Sequence, residues 1–321
     1  MIHTYNSVEE AYYNTLSYVR ANGLSCEPRG QKCKEIIGHS FCITSPRNRV
    51  IFNKERNINF SFMVAEWLWI MSGSNDVAMI SYYNSVIANY SDDGKTMHGA
   101  YGKRINKFHQ LENVIKKLEE DPDSRQAMII IFQPSDVVQK TKDVPCTILF
   151  QFFIRDYKLH MITYMRSNDV LLGLPYDLFN FTMIQEYVST RLNNDTSFGM
   201  GTYTHMVGSL HMYERDSDRI NDVIDEYEKN SKELFGEKNT MNLMDNYNFD
   251  GLDWLIRIEK YLRNHSLDSS LLKSTEEAPN DYWKNLFYFL AMRKTKEDNS
   301  KNKMLKEIIA ISDPYFKKLV T

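Results

Sequence analysis

Two apolar runs joined by a short polar link constrain this chain more than any other feature. Residues 148–154 (Ile-Leu-Phe-Gln-Phe-Phe-Ile) and 159–165 (Leu-His-Met-Ile-Thr-Tyr-Met) are each one strand long, with Asp156-Tyr-Lys158 between them as a turn. Runs of this composition on either side of a turn pair as a β-hairpin. Both of its ends carry chemistry: Pro145 and Cys146 lead in, and Arg166-Ser-Asn-Asp169 follows directly. A hairpin with polar residues at its ends aims side chains into a cleft. Gly173-Leu-Pro-Tyr-Asp177 comes next, then a helical pattern over residues 179–191, then Gly208-Ser-Leu-His-Met-Tyr213.

Ahead of the hairpin, Ser7 followed by Glu10 is a capping box for an amphipathic helix over residues 7–21. Residues 26–43 hold short strand-like pieces around Arg29-Gly30 and Gly38-His39. Residues 60–71 are an apolar run closed by Ser72-Gly73, with Glu66 as the ionisable residue in its middle. Residues 91–104 form a glycine-rich loop around Tyr101. Residues 110–120 read as a helix stopped by Asp121-Pro122-Asp123, and Arg125 precedes a strand over 127–132. After Asp216 helices are expected over 217–234, 251–264, 281–293 and 301–311, and their aromatic residues are frequent enough to pack. The expected architecture is therefore α/β over residues 1–216, with a helical portion over 217–321 packed on it.

A chain of 321 residues buries a sizeable core. Its net charge of -3 gives no electrostatic footprint for nucleic acid or an anionic membrane, so any phosphate must be held locally by a few arginines. No apolar run approaches the roughly 20 residues of a membrane span. The N-terminus carries acid where a signal peptide carries base. Cysteines 26, 33, 42 and 146 lack paired metal-ligand spacing. These features lead us to expect a soluble, cytoplasmic, reduced protein without a metal.

Taken in order, the motifs resemble the thymidylate synthase family, which includes the pyrimidine nucleotide hydroxymethylases. The resemblance covers about residues 7–216 and rests on Arg29, Glu66 with Trp67-Leu-Trp-Ile-Met-Ser-Gly73, Tyr101-Gly102, Asp121-Pro-Asp-Ser-Arg125, Pro145-Cys146, Arg166-Ser167-Asn-Asp169, Gly173-Leu-Pro-Tyr-Asp177 and His211-Met-Tyr213. Each motif alone is weak; their order and spacing make them specific. The last hundred residues show no such likeness.

The chemistry implied starts from a pyrimidine C5 that is a poor nucleophile until a thiolate adds at C6. Cys146 is the candidate nucleophile; alone, it would read as a small buried apolar residue. Arg166 favours the thiolate and grips phosphate with its forked donors. Glu66, a carboxylate in an apolar run, suits proton transfer near neutrality; its plainer role is a half-exposed residue on a helix. Tyr101 joins the catalytic group. The resemblance also implies a homodimer, with phosphate held by Arg29, Arg166 and Ser167 of one subunit and Arg125 of the other. It further implies that His211 and Tyr213 bind the sugar 3′-hydroxyl, and that Asp169 and Gly173 meet the co-substrate 5,10-methylenetetrahydrofolate.

Departures from the family pattern choose the substrate. The synthases carry Asn where this chain has Asp177. An ionised carboxylate only accepts, which suits the 4-amino group of cytosine and a proton at N3, and mismatches O4 of uracil. The alternative role of Asp177 is to cap the following helix; Asn180 stands outside the Gly-Leu-Pro register. Residues 74–100 contain no tryptophan, where the synthases use one to shield the exocyclic methylene from water. Water addition would then give a 5-hydroxymethyl product. Gln126 and Thr147 also depart from the synthases, which carry Arg and often His there. The expected activity is 5-hydroxymethylation of a cytidylate, CMP ahead of dCMP. The rivals are a dUMP-acting synthase or hydroxymethylase and a catalytically silent nucleotide-binding regulator.

Overall fold

The computed structural model describes residues 2–192, 198–235, 240–244, 250–265 and 275–297. In chain order the elements are β1 (His3–Tyr5), α1 (Val8–Asn22), β2 (Leu24–Cys26), β3 (Cys33–Ile43), α2 (Phe60–Met71), α3 (Val77–Tyr83), α4 (Tyr101–Asn106), α5 (Gln110–Glu120), β4 (Met128–Ile130), β5 (Thr147–Arg155), β6 (Lys158–Asp169), α6 (Leu174–Arg191), β7 (Gly199–Tyr213), α7 (Ser217–Leu234), α8 (Asp250–Asn264) and α9 (Asp281–Glu297). The helix expected over 301–311 lies outside the described residues. Contacts divide the chain into two compact units: Met1–Ile58, Arg104–Lys140 and Val144–Thr240 form the first, and Asn59–Lys103, Thr141–Asp143 and Met241–Thr321 the second. Helix α7 groups with the sheet in the first unit.

The first unit is built on a mixed sheet of order β1-β3-β7-β6-β5-β4, with β2 also paired to β3. The expected hairpin is its β5–β6 pair. Asp156 (φ 49°) and Tyr157 (φ 56°) both adopt the left-handed conformation, as a two-residue type I′ turn requires. One sheet face is core: Phe150, Phe152, Met161, Thr163, Tyr203, His205 and Phe41 are all buried, and α1 and α6 pack on the sheet. Cross-strand pairing puts Leu149, Gln151, Phe153, Ile162, Tyr164 and Met206 on the opposite face, where Tyr164 is exposed and the others stay partly exposed.

Ser7 Oγ accepts the Glu10 N–H at 3.1 Å and Glu10 Oε2 accepts the Asn6 N–H at 2.7 Å, completing the cap of α1. Two elements begin earlier than the sequence pattern indicates. Helix α6 starts at Leu174 rather than 179, because Pro175 sits in its first turn, where a missing N–H costs nothing. Strand β7 starts at Gly199, ahead of the 208–213 motif. A Cβ on Gly201 would lie 2.8 Å from the His160 ring, so this low-propensity stretch is fixed by close packing.

In the second unit α2 is buried along residues 61–70 except at Glu66, which is partly exposed. Asn59 Oδ1 caps the helix by accepting the Phe62 N–H at 3.1 Å, and Gly73 (φ 70°) terminates it in the left-handed region. It packs on α9 through Phe60 with Phe289 and Trp67 with Trp283. Among the described residues no helix is long and apolar enough to cross a membrane.

Candidate active site

The hairpin brings its two chemical ends together. Arg166 N–H donates to the Cys146 carbonyl at 2.8 Å, aligning the start of β5 with the end of β6. The Arg166 guanidinium then folds back: Nε donates to the Pro145 carbonyl at 2.9 Å, Nη2 to the Val144 carbonyl at 2.8 Å, and Nη2 lies 3.6 Å from Cys146 Sγ. Two backbone anchors hold the cation beside the sulfur, and a guanidinium there favours thiolate over thiol. Cys146 is partly exposed and Arg166 exposed, so both are open to a solute.

Two residues along β6, Asn168 is 4% exposed and its Nδ2 donates to Asp177 Oδ2 at 2.7 Å. Asp177 is partly exposed in the first turn of α6. Its own N–H already donates to the Gly173 carbonyl at 3.0 Å, so Gly173 occupies the cap position and Asp177 is not the helix cap. Asn180 is buried on the same helix.

Behind Asn168 the chain of bonds continues inward. Asn168 Oδ1 lies 3.1 Å from His205 Nε2, and His205 Nδ1 lies 2.9 Å from Tyr203 Oη. His205 is buried, and burial, with His39 adding to it, holds the imidazole down at about 3, so it stays neutral.

Parallel pairing of β6 with β7 sets Asp169 opposite His211 and Ser167 opposite Ser209. Asp169 Oδ1 accepts the N–H groups of Leu171 and Leu172, both at 2.9 Å; burial raises its carboxyl, while those bonds and the charge of His211 oppose the rise. The rings of His211 and Tyr213 meet edge to face at 5.2 Å, and His211 Nδ1 is buried with no hydrogen-bond partner among the described residues. Burial raises the Tyr213 hydroxyl, with the charge of Asp169 adding and that of Arg29 opposing. Arg29 is exposed between β2 and β3 in the left-handed conformation (φ 56°). Arg125 is exposed just ahead of β4, its carbonyl accepting from Gln151 Nε2 at 2.9 Å, and none of the bonds above involves it.

Two candidates belong to the second unit. Glu66 is the partly exposed position of α2, and Tyr101 opens α4. Gly102 is required there, since a Cβ would meet the Ile70 carbonyl oxygen at 2.3 Å. Sequence reasoning gave no role to Asn168, His205 or Tyr203. The available signal was the run Tyr203-Thr-His205, whose alternate residues face one side of a strand. Among the described residues no cluster of His, Cys, Asp or Glu forms a metal site.

The profile of the thymidylate synthase family matches residues 10–270. The chain belongs to that family, and the match runs past the motifs ending near residue 216. A deoxyuridylate hydroxymethyltransferase of Bacillus phage SP01 is 36% identical over 220 residues, covering 64% of this chain and 56% of the relative. The enzyme of that name from Delftia phage PhiW-14 is 34% identical over 230 residues, covering 68% and 63%. The chain thus spans less than two thirds of the length of either phage relative. Among solved structures, thermostable thymidylate synthase A from Bacillus subtilis aligns with a TM-score of 0.60 at 20% identity, over 68% of this chain and 84% of that one. The fold is that of the thymidylate synthases.

Proposed function

We propose that this protein transfers a one-carbon unit from 5,10-methylenetetrahydrofolate to C5 of a cytidylate and hydrates it to the 5-hydroxymethyl nucleotide. Cys146 adds to C6, which makes C5 nucleophilic towards the folate methylene. Loss of the C5 proton together with tetrahydrofolate leaves an exocyclic methylene, water adds to it, and Cys146 is expelled. Glu66 and Tyr101 are assigned the proton transfers. Arg29, Arg166 and Ser167 bind phosphate with Arg125 of a second subunit. His211 and Tyr213 bind the sugar, and Asp169 with Gly173 meets the folate. Residues 1–216 carry this chemistry and 217–321 extend it. The partly exposed apolar sheet face, including Phe153, Ile162 and Met206, supports a dimer packed sheet to sheet.

The observation that carries the choice of base is the carboxylate of Asp177. Asn168, which holds it, stands two residues from Arg166, which touches the nucleophile. An acceptor-only group pairs with a 4-amino group and leaves O4 of uracil unmatched, and such mismatches discriminate strongly. CMP is placed ahead of dCMP because the helical extension exceeds what a minimal enzyme needs. Deoxyuridylate is the second candidate, favoured by the names of the phage relatives. Incubation with methylenetetrahydrofolate and CMP, dCMP, UMP or dUMP, with products read by mass, decides between them. A gain of CH2O on a cytidylate alone is expected. The same gain on dUMP selects the alternative, and a gain of CH2 with dihydrofolate formed refutes hydroxymethylation.

A further inference from the structure

We propose that Asn168 is the positioning residue for the base reader Asp177, with its amide orientation set from behind by Tyr203 and His205. The inference rests on Asp177 reading the base. Directionality follows from what each group is able to do. A carboxylate only accepts, so Asn168 must turn Nδ2 towards Asp177, and its Oδ1 then faces His205 Nε2 at 3.1 Å. A neutral imidazole carries one N–H. That proton must therefore sit on Nε2, which leaves Nδ1 to accept from the Tyr203 hydroxyl at 2.9 Å. Every member donates towards Asp177 in the order Tyr203, His205, Asn168.

Burial makes this polarity firm. Asn168, His205 and Tyr203 are 4%, 1% and 0% exposed, so no solvent competes for their donors and acceptors. The opposite polarity needs a protonated Asp177, a flipped amide and the other imidazole tautomer, all at once. The chain therefore selects Asp177 as an acceptor held at Oδ2. Local geometry allows the contact because burial alternation along β6 slips between Met165 and Asn168, which turns Asn168 towards the core side while Arg166 remains exposed.

The test is the ratio of kcat/KM for cytidylate over uridylate, measured in the wild type, Asn168→Ala and Tyr203→Phe. A merely structural residue lowers both substrates together. A positioning residue moves the ratio. Asn168→Ala is expected to lower the wild-type preference about tenfold or more, and Tyr203→Phe about threefold in the same direction. Tyr203→Phe keeps the test alive if Asn168→Ala does not fold. The wild-type preference tests the cytidylate assignment separately, because a uridylate-preferring wild type refutes that assignment alone. A ratio unmoved from the wild-type value, whichever base is preferred, in a variant that melts as wild type does, overturns the role of Asn168.

Discussion

A thiol and a carboxylate occur together at the site edge of the first unit, and the same two groups occur again in its interior. At the edge Cys146 lies beside the Arg166 guanidinium and Asp177 accepts from the Asn168 amide, both partly exposed. In the interior Cys33 is 1% exposed and Glu9 is 0% exposed. Glu9 is well supplied with donors: its Oε1 accepts from Phe52 N–H, Asn53 N–H and Tyr227 Oη at 2.8, 3.1 and 3.1 Å. Burial nevertheless pushes its carboxyl up to about 8, against those bonds. The thiol of Cys33 is pushed up to about 12, first by burial and then by its bond to Cys26. Partners do not make a buried group reactive. Access to solvent decides whether a hydrogen bond tunes a charge or only offsets part of its desolvation.

The largest expected effect is at Cys146, the proposed nucleophile. Cys146→Ala is expected to reduce turnover about 10⁴-fold or more while melting as wild type does, whereas Cys33→Ala affects folding and leaves the chemical step intact. Retained turnover in Cys146→Ala would falsify the covalent mechanism. The edge carboxylate comes next. Asp177→Asn supplies both a donor and an acceptor, and the preference is expected to swing towards uridylate by about 10²-fold, read as kcat/KM for the four nucleotides. An unchanged preference would place base selection elsewhere.

The edge was far more legible in the sequence than the support behind it. Cys146, Arg166 and Asp177 lie in short contiguous motifs, and the β5–β6 hairpin between them announces itself by local pattern. Helix α5 appeared where its periodicity put it. The Asn168–His205 contact joins residues 37 apart through parallel pairing of β6 with β7, which no local pattern encodes. The start of β7 was hidden because its glycines and threonines lack apolar alternation, and the start of α6 because Gly173-Leu-Pro reads as a loop. The two units are each discontinuous in sequence, and no local pattern announces that.

The interior carboxylate tests the same comparison through stability. A folded-state value of about 8 against an ordinary 4.5 means that the folded chain holds a proton at Glu9 that the unfolded chain has lost. The stability contributed is therefore complete below pH 4.5, falls as pH rises towards about 8, and is flat above. At about 1.36 kcal/mol per unit the upper bound is roughly 5 kcal/mol, of which relaxation leaves a few. Glu9→Gln keeps the acceptor for all three donors and has nothing to ionise. Urea unfolding at a series of pH values should show the slope between pH 5 and 8 in the wild type flatten in Glu9→Gln. An identical slope in both would assign the pH dependence to other groups.

The smallest expected effect separates the two thiols. Iodoacetamide reacts with thiolate and needs a path to the sulfur, so both conditions favour Cys146 and oppose Cys33. Peptide mapping after short exposures should find Cys146 alkylated at least about tenfold faster than Cys33. Arg166→Ala should narrow that gap, because the path to Cys146 remains while the cation 3.6 Å from its sulfur is gone. If Arg166→Ala leaves the rate at Cys146 unchanged, exposure alone sets its reactivity, and the guanidinium serves the phosphate rather than the thiolate.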